Sequence, residues 1–94
     1  MYERVLRQMR EKIRTRQYVM TLHAEEEMND DGLTIFDVER VILTGAVEER
    51  QQNHIFGEWK YVIAGNASDG RSVTTVGKLS LTGKLVIITV YQDE

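Results

Sequence analysis

The feature that most constrains this chain is a change of hydrophobic period at Gly45. Before this glycine, apolar residues recur at helical spacing, and after it they alternate with polar residues as they do in β-strands. Asp69-Gly70 and Thr82-Gly83 are typical of tight hairpin turns, and a longer loop is expected over 53–57. The second half therefore predicts a four-stranded antiparallel meander. Its predicted strands cover residues 46–52, 58–66, 71–79 and 84–92, with 71–79 between 58–66 and 84–92.

The first half of the chain predicts two or three helices. Apolar residues at helical spacing indicate an amphipathic helix over 2–16. Thr21 can cap a helix over 22–30 because its hydroxyl accepts a hydrogen bond from an unpaired amide of the first turn. Thr34 and Asp37 have the spacing of a capping box, which predicts a further helix that ends at Gly45. The segment "YVMTLH" in front of the second helix fits either a short strand or a helix entry.

Helices followed by an antiparallel meander indicate an α+β domain. The length of 94 residues suggests one domain over 1–94. The sequence contains no Cys, which rules out a disulfide framework and a thiolate zinc site. No stretch approaches the roughly 20 apolar residues that a membrane helix needs. We therefore expect a cytoplasmic protein that has no membrane contact and needs no cofactor.

The turns also predict which strand residues share a face, provided that the strands carry no bulge. One face is expected to pack against the helices, and a second, mixed face to be covered by something else. The cover is either a loop, the N-terminal helix or a second subunit, or it is a nucleic acid that stacks on aromatic side chains. The expected buried face contains Val62, Ala64, Val73, Leu79, Val86, Ile88 and Val90. The mixed face contains Trp59, Tyr61, Ile63, Ser72, Thr74, Lys78, Ile87, Thr89 and Tyr91.

The net charge of −3 conceals an uneven distribution. Residues 1–16 carry six Arg or Lys and two Glu, whereas residues 23–49 carry nine acids and one Arg. Phosphate contacts come from clustered cations, so RNA binding by so acidic a chain would need a local patch. The basic N-terminal helix is one candidate for that patch. Its alternative role is a solvated face that pairs with the acidic middle of the chain.

A set of short motifs in a fixed order resembles a small bacterial family known as domain of unknown function 4258. The motifs span about residues 18–92. The resemblance implies a fold similar to the RelE-like and MqsR-like messenger-RNA interferases, and a zinc-finger antitoxin as a partner. The residues that carry it are Thr21, His23, Ala24 and Met28, then Gly32, Leu33, Thr34, Val38, Val41, Ile42, Leu43 and Gly45, and finally Ile88, Thr89, Val90 and Tyr91.

The sequence departs from that family pattern at two positions in the stretch "HAEEEMNDDG". Glu27 stands where the family usually has Arg, and Asp31 stands where it often has a second Arg. An arginine at either position would be a natural phosphate contact, because its planar guanidinium is always charged and bidentate. Acids at both positions remove that capacity and repel phosphate, which argues against strong nuclease activity.

His23 is the candidate general base of the sequence. Cleavage of RNA without a metal needs a base, a cation for the developing charge and an acid for the leaving oxygen, and His23, Lys78 and Tyr91 are the catalytic residues we predict for these roles. The predicted RNA-binding residues are Trp59, Lys60, Tyr61 and Arg71. His23 has a plainer alternative, in which it only bonds a backbone or carboxylate neighbour at the start of its helix.

A metal site is not expected. Glu26 and Glu27 share a helix face with His23, but three such ligands leave a coordination set incomplete, and nothing fixes the position of His54 in its loop.

Two classes of function remain open from the sequence. The first is a toxin-like, metal-independent RNA endonuclease of a toxin–antitoxin module. The second is a non-enzymatic interaction module, either a homodimer or the partner of an antitoxin. The family resemblance and the aromatic side chains favour the first class, whereas the acidic charge and the missing arginines favour the second.

Overall fold

The computed structural model describes residues 1–52 and 57–94, and it confirms the α+β fold class. The predicted loop over 53–57 therefore lies mostly outside the described residues, as does His54. Within the described residues, three helices and five strands follow one another along the chain. They are α1 (Glu3–Arg14), β1 (Tyr18–Met20), α2 (Leu22–Asp30), α3 (Ile35–Thr44), β2 (Ala46–Gln52), β3 (Trp59–Asn66), β4 (Ser72–Leu79) and β5 (Leu85–Gln92).

The sheet has the order β1-β5-β4-β3-β2, so the predicted meander is confirmed and β4 lies between β3 and β5. The predicted number of strands was wrong, because β1 adds a fifth strand that pairs parallel to β5. The ambiguous segment "YVMTLH" is both things at once: three residues of strand, then the cap and first residues of α2. A parallel partner that follows two helices and three further strands along the chain leaves no local turn signal in the sequence.

Both predicted helix caps are present. The Thr21 hydroxyl accepts a hydrogen bond from the amide of Ala24, and Thr34 and Asp37 form a reciprocal capping box. Asp37 does more than cap, because its second carboxylate oxygen accepts the amide of Ser68 at 3.0 Å and the hydroxyl of Ser68 at 2.9 Å. This single buried carboxylate therefore joins the start of α3 to the turn between β3 and β4.

The predicted division of the sheet into two faces was partly wrong, because the turn between β3 and β4 pairs odd positions with odd positions, and because β2 and β5 carry bulges. The extra residues are Ile88 in β5, opposite the step from Val76 to Gly77, and Glu48 in β2, between Val47 and Glu49. Each extra residue moves the side chains beyond it to the opposite face. Ile63 and Ile87, which were expected on the mixed face, are fully buried in the core beneath the helices.

The helix-packed face therefore takes residues from both predicted sets. Val73, Leu79 and Val90 lie on it as expected, and Trp59 and Tyr61 join them. The opposite face, which no described helix covers, carries side chains from β3, β4 and β5. They are Val62, Ala64, Val86 and Ile88 from the expected buried set, and Ser72, Thr74, Lys78, Thr89 and Tyr91 from the mixed set.

Two glycines bring the end of α3 into direct contact with β3. A Cβ at Gly45 would lie 2.3 Å from the carbonyl oxygen of Ala64 and 2.4 Å from that of Val41. A Cβ at Gly65 would lie 3.1 Å from the Cα of Val41. Backbone thus packs on backbone at this crossing, which a side chain at either position would force apart.

We predict that Gly45→Ala destabilises the protein by about 3 kcal/mol, because the new methyl group meets two rigid carbonyl oxygens. Gly77→Ala is the matched control, since its Cβ would first meet the flexible end of Leu85 at 3.2 Å. Urea unfolding of both variants checks this prediction. Equal stability losses in the two variants would contradict it.

The pKa of Asp37 is lowered to about 2, chiefly because its carboxylate accepts backbone amides of Thr34 and Ser68. A carboxyl whose folded pKa lies below its unfolded value contributes stability above the unfolded pKa, and that contribution is lost as the pH falls through the folded pKa. We therefore predict that Asp37→Asn costs up to about 2 kcal/mol at pH 7, and that its deficit relative to wild type shrinks between pH 4 and pH 2. Urea unfolding of both proteins across this range is the measurement. A deficit that does not change with pH would count against the role assigned to the charge.

Candidate nucleic-acid interface

The acidic stretch of α2 completes the outer edge of β5. β1 pairs with β5 only over residues 85–87, so the backbone groups beyond that point need other partners. The Thr21 hydroxyl donates to the carbonyl oxygen of Ile88, Glu27 Oε1 accepts the amide of Val90 at 3.2 Å, and Asp31 Oδ2 accepts the amide of Gln92 at 2.8 Å. Side chains of one segment thus take the place of a neighbouring strand.

The hydrogen bonds to β5 give Glu27 and Asp31 a structural role that the family pattern alone does not reveal. Both carboxylates are partly buried against β5, whereas their neighbours Glu25, Glu26 and Asp30 are exposed. Three of the five acids in this stretch therefore face water. The two acids at the positions where arginine was expected bond the strand edge.

His23 lies on the first turn of α2 and bonds to Glu27. Its Nε2 is 3.0 Å from Glu27 Oε1, the same oxygen that accepts the amide of Val90, and 64% of its side chain is exposed. A histidine in this position can support the carboxylate that holds the strand edge. This is the plainer role that the sequence left open for it.

Arg71 makes four contacts within the protein. Its guanidinium donates to the side chains of Asp69 and Gln92 and to the carbonyl oxygens of Asp31 and Gly32. It thereby ties the turn before β4 to the end of α2. An RNA phosphate would have to compete with these partners for Arg71, which was predicted to bind RNA.

Lys78 and Lys60 lie on the face of the sheet that no described helix covers. Lys78 Nζ is 2.6 Å from Glu58 Oε2, and both lysines line a small cavity beside Ile88. Tyr91 is on the same face, opposite Thr74, which is four residues from Lys78 along β4. That separation corresponds to about 13 Å along the strand.

The three predicted catalytic residues therefore do not form one site. His23 is on α2 at the outer edge of β5, Lys78 is near one end of β4, and Tyr91 is near the other end of the paired strands. Proton transfer requires groups within hydrogen-bond reach of the same substrate atoms. Their catalytic roles remain a prediction, with no shared geometry behind it.

A cluster of aromatic and arginine side chains does converge, at the start of α1. The guanidinium of Arg50 lies 4.1 Å from the ring centroid of Trp59 and 5.9 Å from that of Tyr2. The rings of Tyr2 and Tyr61 meet edge to face at 6.2 Å. With Arg4 they line a surface cavity of about 390 Å³. We call Tyr2, Arg4, Arg50, Trp59 and Tyr61 the aromatic–arginine cluster.

The β2 bulge is what brings Arg50 to this cluster. Val47 pairs with Ile63 and faces the helices, and in a regular strand the residue three positions on would face away. Because the register shifts between Val47 and Glu49, Arg50 pairs with Tyr61 on the helix-packed face instead. Trp59 follows on the same face by the alternation of β3. The guanidinium of Arg50 on β2 can then lie over the ring of Trp59 on β3, which is the geometry of a cation–π interaction.

Sequence reasoning identified Trp59 and Tyr61 but missed Tyr2, Arg4 and Arg50. It placed the two aromatics on the sheet face that carries Lys78, whereas the structure puts them beneath the start of α1, and Trp59 also lines the cavity of Lys60 and Lys78. The one available signal was the basic N-terminal helix, which was a candidate RNA patch without assigned residues. Only the register of β2 and the packing of α1 reveal the other members.

The chemistry of the cluster suits a flat, anionic ligand. Aromatic faces stack on bases, and arginine pairs with phosphate through two parallel hydrogen bonds. Trp59 is 38% exposed, so part of its ring is open to such a ligand. In the described ranges, no group of three or more His, Asp or Glu side chains could hold a metal ion. None of the described helices is long and apolar enough to cross a membrane.

The fold and this cluster define a small α+β protein with a cationic, aromatic surface cavity. Comparison with known families places the chain more narrowly. It belongs to the family described as Domain of unknown function (DUF4258), whose model matches residues 20–92 and so confirms the resemblance to that family. No curated protein and no solved structure matches the chain.

We predict that Glu27→Ala destabilises the protein by about 1 to 2 kcal/mol, because it leaves the amide of Val90 without its carboxylate partner. Glu26→Ala is the matched control, as its exposed neighbour on the same helix should change stability by less than about 0.5 kcal/mol. Thermal unfolding gives the stabilities, and hydrogen exchange at the amide of Val90 reports the bond itself. Unchanged exchange at Val90 in Glu27→Ala would show that the carboxylate does not protect the strand edge.

Proposed function

We propose that this protein binds single-stranded RNA at the aromatic–arginine cluster and acts on it as a toxin-like, metal-independent endonuclease. The observation that carries the proposal is the stacking of Arg50 on Trp59, 4.1 Å from the ring centroid, beside two tyrosines in one cavity. Stacking platforms combined with cations are the general means by which proteins hold single strands without reading their sequence. The resemblance to messenger-RNA interferases supports RNA as the nucleic acid.

The cleavage step of the proposal is an internal transesterification. The 2′-oxygen of the RNA forms a bond to phosphorus, the bond to the 5′-oxygen breaks, and a proton moves from the former oxygen to the latter. Arg4 and Arg50 would stabilise the negative charge that grows on the phosphate oxygens. His23, Lys78 and Tyr91 lie outside the cluster, so binding has firmer structural support than proton transfer.

A non-enzymatic interaction module is the second candidate function, and the uncovered sheet face favours it. Val19, in the parallel strand β1, is 46% exposed, and Val86 beside it and Ile88 are only partly buried. Lys60 and Lys78 flank these apolar side chains. A protein partner such as a zinc-finger antitoxin, or a second copy of the chain, would cover such a face. This candidate takes precedence if the protein does not bind RNA.

We predict that Trp59→Ala weakens binding to single-stranded RNA by about 10- to 100-fold, because one stacking platform contributes about 1 to 3 kcal/mol per base. Phe36→Ala is the matched control, since Phe36 is an aromatic residue that is 75% exposed on α3 and lies outside the cluster. Fluorescence anisotropy with a labelled mixed-sequence RNA at low salt measures both. Equal RNA affinities of the two variants would show that the aromatic–arginine cluster is not the binding site.

The cleavage step has its own test. The same RNA is incubated with wild-type protein in excess EDTA and resolved on a denaturing gel. Fragments that end in a 2′,3′-cyclic phosphate support the metal-independent reaction. Tight binding without fragments would leave RNA binding in place and reject the endonuclease.

A further inference from the structure

A second cavity continues the first one along α1. It also has a volume of about 390 Å³, and it lies between α1 and the turn that joins β4 to β5. Gln8 and Leu79 line both cavities, so the two form one groove beside the helix. We call it the α1 groove; its far end is lined by Glu11, Lys12, Ser80 and Gly83.

The α1 groove carries a cation at each end. Arg4 and Arg50 lie at the end with the aromatic rings, and Lys12 lies at the other. Arg4 and Lys12 are separated by eight residues of helix, which corresponds to about 12 Å. A nucleic-acid strand rises about 3.4 Å per nucleotide when stacked, and more when extended. The distance between the cations therefore matches about three nucleotides.

The far end of the groove offers polar groups as well as charge. Lys12 Nζ lies 3.8 Å from the position that a Cβ would take at Gly83, so the lysine rests against the turn. It donates a hydrogen bond to Gln17 in an exposed contact, which a phosphate could replace at little cost. Ser80 lines the same end of the groove, and its hydroxyl lies 2.9 Å from that of Thr82. Among the described residues that line this end, Glu11 is the one acid, and its carboxylate is 3.9 Å from the guanidinium of Arg14.

The cations of α1 are not all equivalent. Arg10 is committed to the fold, because it donates to the carbonyl oxygens of Ile42 and Gly45 and so caps α3. Arg7 is exposed and lines neither cavity. Arg4 and Lys12 are the two helix cations that face the groove. The cations of α1 thus have three different settings: in the fold, in solvent and at the groove. This arrangement is typical of a helix that contacts a ligand along one side only.

We infer that the α1 groove is a track for about three nucleotides of single-stranded RNA, with a base stacked at Trp59 and a downstream or upstream phosphate held by Lys12. The inference rests on the proposed function and adds the length of the bound segment. α1 lies outside residues 20–92, which the family model matches, so the helix wall of the track is a feature of this chain beyond the matched region.

The test compares RNA oligomers of one to six nucleotides with three proteins: wild type, Lys12→Gln and Arg7→Gln. Wild-type affinity should rise with length up to about three or four nucleotides and then level off. Lys12→Gln should bind the mononucleotide normally but bind the trinucleotide and longer oligomers about three- to fivefold more weakly at low salt. Its salt dependence should fall by about 0.7 in the slope of log K against log salt, the value for one phosphate contact of a single strand. Arg7→Gln removes the same charge from the same helix and should change neither quantity.

Amide chemical shifts provide an independent readout. The trinucleotide should shift the amides of Ser80 and Gly83 in wild type, whereas the mononucleotide should not. If RNA binds and Trp59→Ala weakens it, but Lys12→Gln behaves like Arg7→Gln and these amides do not shift, the track is wrong and the proposed function stands. If wild type binds no oligomer of any length, both fall together.

Discussion

The outer edge of β5 is the constraint on which the arrangement of this protein depends. A strand edge buried without partners costs free energy at every unpaired amide and carbonyl, and β1 is too short to pair with all of β5. Glu27 of α2 and the capping residues Thr21 and Asp31 supply the missing partners. Because these bonds fix α2 along the strand, they also fix the place of His23, and they explain acids at two positions where a phosphate contact was expected.

The pattern of the sequence was sufficient for the order of the elements and for the caps. Thr34 and Asp37 act within a few residues of each other, so their capping box can be predicted from spacing alone. The pairing of β3, β4 and β5 follows from turns of a few residues. The faces could not be predicted in the same way, because β3 and β4 pair with odd positions opposite odd positions, and because a bulge at Ile88 reverses the side chains that follow it in β5. β1 was ambiguous for a related reason: its parallel partner lies more than sixty residues away.

Residues of the candidate site could be predicted from the sequence only where the type of residue by itself suggests a binding role. Trp59 and Tyr61 stand out as aromatic residues on a strand, whatever face they occupy. Arg50 does not stand out in "EERQQ", since its position on the ring of Trp59 depends on the β2 bulge. Arg71 shows the opposite case. Its residue type suggested a phosphate contact, whereas its backbone and side-chain partners make it a tie between α2 and β4.

The bonds between α2 and β5 also limit how the sheet can grow. Of the two outermost strands in the described sheet, β1 has three residues, and only β2, with seven, is long enough for another strand to add. The charged side chains and the bulge of β2 discourage that addition. Two copies joined edge to edge at β2 would form one sheet of ten strands bounded by β1 on both sides. In such a pair only the three-residue β1 strands would remain at the outer edges, so the same contact could not add a third copy.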